Sequence, residues 1–260
     1  MEIEHIRNKR AFICDMDGVI YHGNHLLPGA AEFVAFLKEQ QKQFLFLTNS
    51  SERSPRELSE KLARLGIKVD ESHFYTSALS TAAFLASQKP GGSAYVIGEA
   101  GLIQALYEVG FSMNNVDPDY VVIGETRSYN FEKIEDAVAL LRKGAKLIGT
   151  NPDMTGPTER GIVPATGALV APIEMAAGCK AYFLGKPNPL MMRIALKKLK
   201  TAPEDTVIVG DRMDTDIISG IESELETVLV FSGVTAPEEL KQFGYAPTFA
   251  LPGVGAIARL

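Results

Sequence analysis

Short apolar runs alternate with amphipathic helical patterns along this 260-residue chain, and this alternation constrains its fold most. Each run is nearly continuous in apolar residues, as in strands buried on both faces of a parallel sheet. The helical stretches between them predict right-handed strand–helix–strand crossovers. The sequence therefore predicts the α/β fold class with a parallel sheet. The runs of this outer series are AFIC at 11–14, FLFL at 44–47, AYFLG at 181–185, TVIVG at 206–210 and TVLVF at 227–231.

A second series of the same kind occupies the middle of the chain. Its runs are AYVIG at 94–98, YVVIG at 120–124 and KLIGT at 146–150, and the Pro/Gly-rich stretch 88–92 precedes it. Glycine and proline together are typical of a linker. We therefore predict a discontinuous core, residues 1–79 and 181–260, with an inserted α/β domain at 80–180.

Composition narrows the class of partner and the cellular location. The net charge of −6 argues against a nucleic-acid polymer, whose phosphates need a basic surface. Cys14 and Cys179 are the only cysteines, which argues against a disulfide framework. No apolar run is long enough to span a bilayer, and the N-terminus has no signal-peptide pattern. We expect a cytoplasmic protein that binds neither membrane nor nucleic acid.

Polar residues follow four of the outer runs, where ligands bind in open α/β sheets. Clustered carboxylates repel one another and need a cation, and a set of oxygen ligands without His or Cys suits Mg²⁺. The sequence leaves open whether Asp214 or Asp216 serves the metal, and the acidic run also fits the first turn of a helix. The residues after the four runs are Asp15 and Asp17; Thr48, Asn49 and Ser50; Lys186; and Asp211, Asp214 and Asp216.

This set of side chains fits phosphoryl transfer. Lys186 would place a positive charge on a phosphoryl group, and Thr48 a hydrogen bond. Asp15 could attack phosphorus to form an aspartyl-phosphate. Asp17 could protonate the leaving oxygen and then activate water. Each motif alone also has a bland interpretation, and Thr48-Asn49 in particular is typical of a turn or helix cap.

The segments DMDGVI, LTNSS, GKP and GDRMDTD, in this order, resemble the four motifs of the haloacid dehalogenase (HAD) superfamily. Further segments, among them GETRSYNFEK, TNPD and ATGAL, are similar to the NagD-like phosphatases, subfamily IIA. The resemblance covers nearly the whole chain. It implies a Rossmann-like HAD core with an inserted α/β cap domain of the C2 type, since the insertion lies between Thr48 and Lys186.

The resemblance also implies a role for each matching residue. It makes Asp15 the nucleophile and Asp17 the general acid/base. Candidate readers of the leaving group are Asn151 and Asp153 on the cap, for which ordinary turn chemistry is the alternative. The implied metal ligands are Asp15, Asp211, the backbone carbonyl of Asp17 and, in support, Asp216; the implied phosphoryl ligands are Thr48, Asn49 and Lys186, with Ser50 beside them.

We therefore predict a Mg²⁺-dependent phosphomonoesterase that acts on a small phosphorylated metabolite. Nucleoside monophosphates are the first candidates from the habits of the family, with sugar phosphates next and p-nitrophenyl phosphate as a substrate in vitro. The alternatives are a signalling receiver domain that stores the phosphoryl group, and a non-catalytic phosphate-binding protein on the same fold. A monomer and a homodimer are both compatible with the sequence.

Overall fold

The computed structural model describes residues 2–159 and 161–258 of the chain. The chain divides into two compact units, of which unit 1 comprises Met1–Thr48, Leu58–Tyr75 and Lys186–Leu260, and unit 2 comprises Asn49–Glu57 and Thr76–Gly185. Within the described ranges, every helix is too short or too polar to cross a membrane. Residues 49–57, 76–79 and 181–185 cluster with unit 2, although the sequence placed them in the core. The division into core and cap domains stays a prediction.

The described residues form strands and helices in alternation. The strands are β1 (Ala11–Cys14), β2 (Tyr21–His22), β3 (His25–Leu26), β4 (Gln43–Thr48), β5 (Phe74–Thr76), β6 (Ser93–Ile97), β7 (Ser112–Met113), β8 (Tyr120–Ile123), β9 (Lys146–Gly149), β10 (Thr155–Thr158), β11 (Gly161–Pro164), β12 (Tyr182–Phe183), β13 (Thr206–Gly210), β14 (Glu226–Val230) and β15 (Phe249–Leu251). The helices are α1 (Glu2–Asn8), α2 (Ala30–Glu39), α3 (Pro55–Arg64), α4 (Ser77–Gln88), α5 (Ala100–Glu108), α6 (Phe131–Arg142), α7 (Thr166–Ala177), α8 (Pro189–Leu199), α9 (Ile218–Glu222) and α10 (Gly255–Ala258).

The larger sheet has the strand order β15-β14-β13-β1-β4-β5. Strand β1 pairs in parallel with β13 and β4, and Cys14 lies opposite Val209 and Phe46. All residues of β1 are buried, as the apolar run predicts. Because parallel strands end at the same edge of a sheet, the residues that follow β1, β4 and β13 come together there. The short antiparallel hairpin β2–β3 follows β1.

Aromatic side chains pack the core beneath this sheet edge. Phe33 and Leu37, one turn apart on α2, are fully buried, which confirms the predicted apolar face of that helix. The ring of Phe33 meets that of Phe12 on β1 edge to face, at 5.9 Å between centroids. Such pairs add to the gain from burial and restrict the motion of the strand. The end of β1 is therefore held on a rigid support.

Helix α3 begins with the predicted capping box. The Ser54 amide donates to Glu57 Oε2 at 2.8 Å, and the Glu57 amide donates to Ser54 Oγ at 3.3 Å. Pro55 occupies the first helical position, where its missing N–H costs nothing. These two hydrogen bonds satisfy the backbone amides of Ser54 and Glu57, which would otherwise lack partners at the start of the helix.

The smaller sheet lies in unit 2 and has the order β12-β9-β8-β6-β7, with parallel pairing throughout. Ile97, Ile123 and Gly149 are in register at the ends of β6, β8 and β9. The loops that follow these strands therefore leave the sheet side by side. The antiparallel hairpin β10–β11 comes after β9.

The structure corrects one predicted strand. The run 181–185 was expected in the core sheet, but only Tyr182–Phe183 forms a strand, and it pairs with β9 of the smaller sheet. The Phe183 ring lies against Gly149, where any Cβ would clash with it. Tyr182 remains 49% exposed at this edge. An apolar run does not specify which sheet it joins, so the prediction of a core strand at 181–185 was wrong.

Candidate active site

The residues after β1 begin the candidate site in unit 1. The Asp15 amide donates to the Val209 carbonyl at 2.9 Å, which carries the ladder between β1 and β13 one residue further. The chain then turns at Gly18, whose φ of 79° suits glycine. The Asp17 side chain lies on this turn, with Oδ1 at 3.3 Å from His22 Nδ1 on the hairpin. Asp15 thus stands at the strand end and Asp17 beside it.

Three carboxylates meet at this edge. Asp15, Asp211 and Asp216 each offer an oxygen, and the three oxygens lie within 4.8 Å of one another. Asp214 does not join them, because it is 57% exposed and pairs with Arg212 at 2.9 Å. Asp216, which lies in the π-helical turn over Met213–Ile217, is the residue of this acidic run that joins the group. The Asp17 side chain also lies outside this group of three.

Lys186 is the cation that the structure places among these carboxylates. Its side chain is only 2% exposed, and its Nζ lies 2.9 Å from Asp15 Oδ1 and 2.6 Å from Asp216 Oδ1. It also donates to the Leu47 carbonyl on β4 at 3.1 Å. The ammonium therefore joins three strand ends of the larger sheet, although the strand that precedes it belongs to the smaller one.

The site is electrostatically strained. Burial and the neighbouring Asp15 and Asp216 raise the pKa of Asp211 well above its ordinary value. Burial raises the pKa of Asp216 to about 6, against the lowering effect of Lys186. Burial disfavours the charged form of Lys186, but Asp15 and Asp216 outweigh it and raise the pKa of this ammonium. One ammonium does not fully compensate three clustered carboxylates.

Asp211 carries the observation that fits a metal ion. Its Oδ2 accepts from the Val234 amide at 2.7 Å, but its Oδ1 is buried without a hydrogen-bond partner among the described residues. A Cβ at Gly18 or Gly233 would clash with this carboxylate, so backbone surrounds it closely. A buried carboxylate oxygen without a donor is costly unless a cation meets it. The all-oxygen donor set suits Mg²⁺.

Burial also affects two residues that lie close to Asp15 in the chain, Asp17 and Cys14. Burial raises the pKa of Asp17, although His22 and Lys61 lower it in part, so its proton is held more tightly than usual. Burial also raises the pKa of the Cys14 thiol far above its ordinary value. A buried thiol of this kind is inert. Cys179, the other free cysteine, lies in unit 2 and is partly exposed.

The predicted phosphoryl ligands fall in both units. Thr48 ends β4 in unit 1, whereas Asn49 and Ser50 open the segment of unit 2 that follows it. Within unit 2, Asn49 Nδ2 donates to Asp153 Oδ2 at 3.0 Å. The structure thus brings together Asn49 and Asp153, two residues predicted independently.

Asn151 is placed differently from its predicted role. Its side chain has no exposed surface. Its Nδ2 donates to the Asn49 carbonyl at 2.8 Å and lies 3.1 Å from Thr166 Oγ1, while its Oδ1 accepts from the Asp153 amide at 3.1 Å. With these bonds made inside unit 2, the geometry argues against Asn151 as a direct ligand of substrate.

Sequence reasoning missed Glu125. It follows β8 at the same edge of the smaller sheet, where the Ser51 amide donates to its Oε2 at 3.0 Å. Burial, with Glu52 and Asp153 nearby, raises the pKa of Glu125 to about 7, even though hydrogen bonds from Ser51 and Asn151 lower it. The signal was available, since a carboxylate just after an apolar run is the pattern that identified Asp15 and Asp211.

Two segments of the chain match known families. Residues 12–112 match the family described as haloacid dehalogenase-like hydrolase. Residues 183–257 match the family described as HAD-hydrolase-like. The two matches cover segments before and after the middle of unit 2.

Individual relatives are similar over almost their whole length. A dihydroxyacetone phosphatase of Corynebacterium glutamicum is 44% identical over 95% of this chain and 90% of its own. The ribonucleotide monophosphatase NagD of Escherichia coli is 44% identical over 94% of this chain and 96% of its own. The crystal structure of a 4-nitrophenylphosphatase from Thermotoga maritima superposes with a TM-score of 0.93 at 33% identity, covering 98% of both chains.

Proposed function

We propose the function of this chain from the premise that it belongs to the haloacid dehalogenase-like hydrolase family and is a NagD-like phosphatase with a Rossmann-like core and a cap. The proposed activity is the hydrolysis of small organic phosphate monoesters with Mg²⁺ through an aspartyl-phosphate intermediate. The observation that carries the proposal is the meeting of Asp15, Asp211 and Asp216 with the buried Lys186. The relatives named above are phosphatases, which favours hydrolysis over the receiver alternative.

Asp15 is the proposed nucleophile. Lys186 holds one of its carboxylate oxygens at 2.9 Å, which orients the side chain at the end of a rigid strand. In the first step a carboxylate oxygen of Asp15 bonds to phosphorus while the bond from phosphorus to the ester oxygen breaks. The products of this step are the alcohol and the phosphorylated Asp15.

Asp17 is the proposed proton carrier for both steps. Its raised pKa favours the protonated carboxyl, which can give its proton to the departing ester oxygen. The resulting carboxylate then takes a proton from the water that attacks phosphorus. That attack breaks the bond between phosphorus and Asp15 and releases inorganic phosphate. His22, 3.3 Å from Asp17, stabilises the carboxylate between the two steps.

Mg²⁺ fits the same edge of the sheet. Asp15 and Asp211 would hold it with their side chains and Asp17 with its backbone carbonyl, while Asp216 supports the site through Lys186 and the Arg212 amide at 3.2 Å. The orphaned oxygen of Asp211 supports this assignment. When bound, the ion would neutralise charge on the phosphoryl oxygens.

The proposed ligands of the phosphoryl group are Thr48, Asn49, Ser50 and Lys186. Hydroxyl, amide and ammonium donors together can satisfy several phosphoryl oxygens at once. Asp153 is the proposed reader of the leaving group. The names of the relatives cover a ribonucleotide and a dihydroxyacetone phosphatase, so we propose nucleoside monophosphates and small sugar phosphates as the substrate class.

The experiment is a phosphate-release panel. It would contain p-nitrophenyl phosphate, nucleoside monophosphates and sugar phosphates, each with Mg²⁺ and with a chelator in its place. We expect release that depends on Mg²⁺, with kcat/KM values that rank the substrates. A complete absence of release with Mg²⁺ present would overturn the proposal and favour the non-catalytic alternative.

A further inference from the structure

A polar network at the carboxyl edge of the smaller sheet takes no part in the proposed chemistry. Glu125 follows β8 and Asn151 follows β9, so the register of the two strands sets these residues side by side. Ser51, Thr150, Asn151 and Thr166 have no exposed surface. Buried polar groups of this kind rigidify what they touch when they are satisfied. All of these residues belong to unit 2.

Glu125 and Ser51 form a reciprocal pair. The Ser51 amide donates to Glu125 Oε2 at 3.0 Å, and the Glu125 amide donates to Ser51 Oγ at 3.2 Å. Two bonds in opposite directions fix both the position and the orientation of Ser51. Since the acceptor in the first bond is a carboxylate, that bond is of the stronger, charge-assisted kind.

The other oxygen of Glu125 extends the network toward Asn49. Asn151 Nδ2 lies 3.3 Å from Glu125 Oε1 and donates to the Asn49 carbonyl at 2.8 Å. Ser77 Oγ also donates to that Asn49 carbonyl. The segment 49–51 is therefore held at both of its ends, with Ser50 between them. This segment directly follows Thr48 in the chain and carries two of the proposed phosphoryl ligands.

We infer that Glu125 is a positioning residue: it fixes segment 49–51 through Ser51 and Asn151, and thereby sets the affinity for the phosphoryl group. The inference rests on the proposed function, in which Asn49 and Ser50 bind phosphate. Glu125 itself touches neither the substrate nor the reacting atoms. Its charged form gives the stronger hold, because only the carboxylate accepts charge-assisted bonds at both oxygens.

The surroundings of Glu125 make this hold depend on pH. Its carboxyl is desolvated, and two nearby carboxylates disfavour its charge: that of Glu52, the residue after Ser51, and that of Asp153, which follows β9. The pKa of about 7 means that the carboxyl takes up a proton as the pH falls through neutrality. We therefore expect phosphate affinity to decline in that range for a reason separate from the ionisation of phosphate.

The test substitutes Glu125→Gln, which keeps the shape and removes the charge. Inorganic phosphate serves as the competitive inhibitor of p-nitrophenyl phosphate hydrolysis, and Ki, KM, kcat and the unfolding temperature are measured from pH 5.5 to 8.5. At pH 8 we expect Ki and KM to rise about tenfold, with a smaller change in kcat, because about one hydrogen bond to a charged group is lost. The ratio of the variant Ki to the wild-type Ki cancels the ionisation of phosphate itself.

Two further readouts separate positioning from a merely structural role. Toward pH 5.5 the Ki ratio should fall to about one, because the wild-type carboxyl is then protonated as well. The unfolding temperature of the variant at pH 8 should equal or exceed that of the wild type, since a desolvated charge has been removed. A structural residue would instead lower the unfolding temperature and weaken activity alike at every pH.

Glu174→Gln is the matched control. Glu174 lies in the same unit, and its Oε1 accepts from the Ala181 amide at 2.7 Å, so it is also a carboxylate that holds a backbone amide, but one outside segment 49–51. We expect its Ki to stay within twofold of wild type at every pH. If Glu125→Gln does not fold, Ser51→Ala removes the Oγ that accepts from the Glu125 amide and from Thr150 Oγ1, but it keeps the Ser51 amide that donates to Glu125. This variant should raise Ki severalfold while the pH dependence persists.

The outcomes that overturn the inference are distinct from those that overturn the proposed function. An active wild type with a Glu125→Gln Ki within twofold of its own at pH 8 overturns the inference alone, as does a rise in Ki that is equal at all pH values. A wild type that releases no phosphate overturns the proposed function and the inference with it.

Discussion

The two parallel sheets of this chain gather different chemistry at their carboxyl edges. At the larger sheet, Asp15, Asp211 and Asp216 share the single ammonium of Lys186, and one buried oxygen of Asp211 accepts no hydrogen bond from the described residues. At the smaller sheet, both oxygens of Glu125 meet neutral amide donors. The same backbone geometry therefore has two different uses in this chain. One edge concentrates charge that a cation relieves, and the other orders the chain around one carboxyl.

The largest expected effect tests whether the charged edge carries the chemistry. Asp15→Asn replaces the carboxylate with an amide that is a poor nucleophile, so we expect kcat to fall on the order of 10⁴-fold. Phosphate release from p-nitrophenyl phosphate with Mg²⁺ measures the loss, and circular dichroism checks the fold. Activity within tenfold of wild type would remove Asp15 from the role of nucleophile.

Lys186→Met tests whether the ammonium compensates the charged edge. Removal of one partner from a buried ion cluster leaves uncompensated charge, and we expect a loss of about 3–5 kcal/mol in the free energy of unfolding at pH 8. The loss should shrink near pH 5. Asp216 has a folded pKa of about 6, above its ordinary value of 3.8, so the fold takes up a proton there and gains stability as the pH falls.

Urea unfolding without Mg²⁺ at the two pH values gives the measurement for Lys186→Met. Lys197→Met is the control, because Lys197 is exposed on the surface, and we expect a change of about 0.5 kcal/mol or less. An equal loss at pH 8 and pH 5 would contradict the electrostatic account of the charged edge.

The smallest of the expected effects is the stabilisation of the fold by Mg²⁺, which should depend on the larger-sheet edge and not on the smaller-sheet edge. A ligand that binds only the folded state at 100 times its dissociation constant adds about 2.7 kcal/mol of stability. Asp211→Asn should remove most of this gain, whereas Glu125→Gln should leave it unchanged. Thermal unfolding with and without Mg²⁺ measures both variants. If the gain is lost equally in the two, the metal site does not belong to the larger sheet alone.

The sequence does not predict β5 and β15, the edge strands of the larger sheet. It predicts the four strands between them because each is nearly continuous in apolar residues and almost entirely buried. It predicts β6, β8 and β9 for the same reason. It fails at 181–185, because pairing with β9 depends on the space above Gly149, which no local pattern encodes. The hairpin β10–β11 was missed because it has no apolar strand pattern, with prolines in both strands and Gly161 and Ile162 exposed.

For the candidate site, the residue types were predictable and their partners were not. A carboxylate after an apolar run indicates a strand-end ligand, and this rule identified Asp15 and Asp211. It could not choose between Asp214 and Asp216, because the choice depends on a π-helical turn in which the Ile217 amide donates to the Arg212 carbonyl at 3.1 Å. It also could not show that Asn151 is fully buried, since burial is a tertiary property.

Cys14 gives the larger sheet a reporter of its own opening. Its thiol lies at the end of β1, without exposed surface and with a raised pKa, so a thiol reagent in solution cannot reach or activate it while β1 stays paired. Cys179 is partly exposed and reacts without such opening. The rate of Cys14 labelling therefore follows the transient separation of β1 from β4 and β13. Mg²⁺ and phosphate, if they bind beside Asp15, would slow that rate and make their binding visible one residue from the nucleophile.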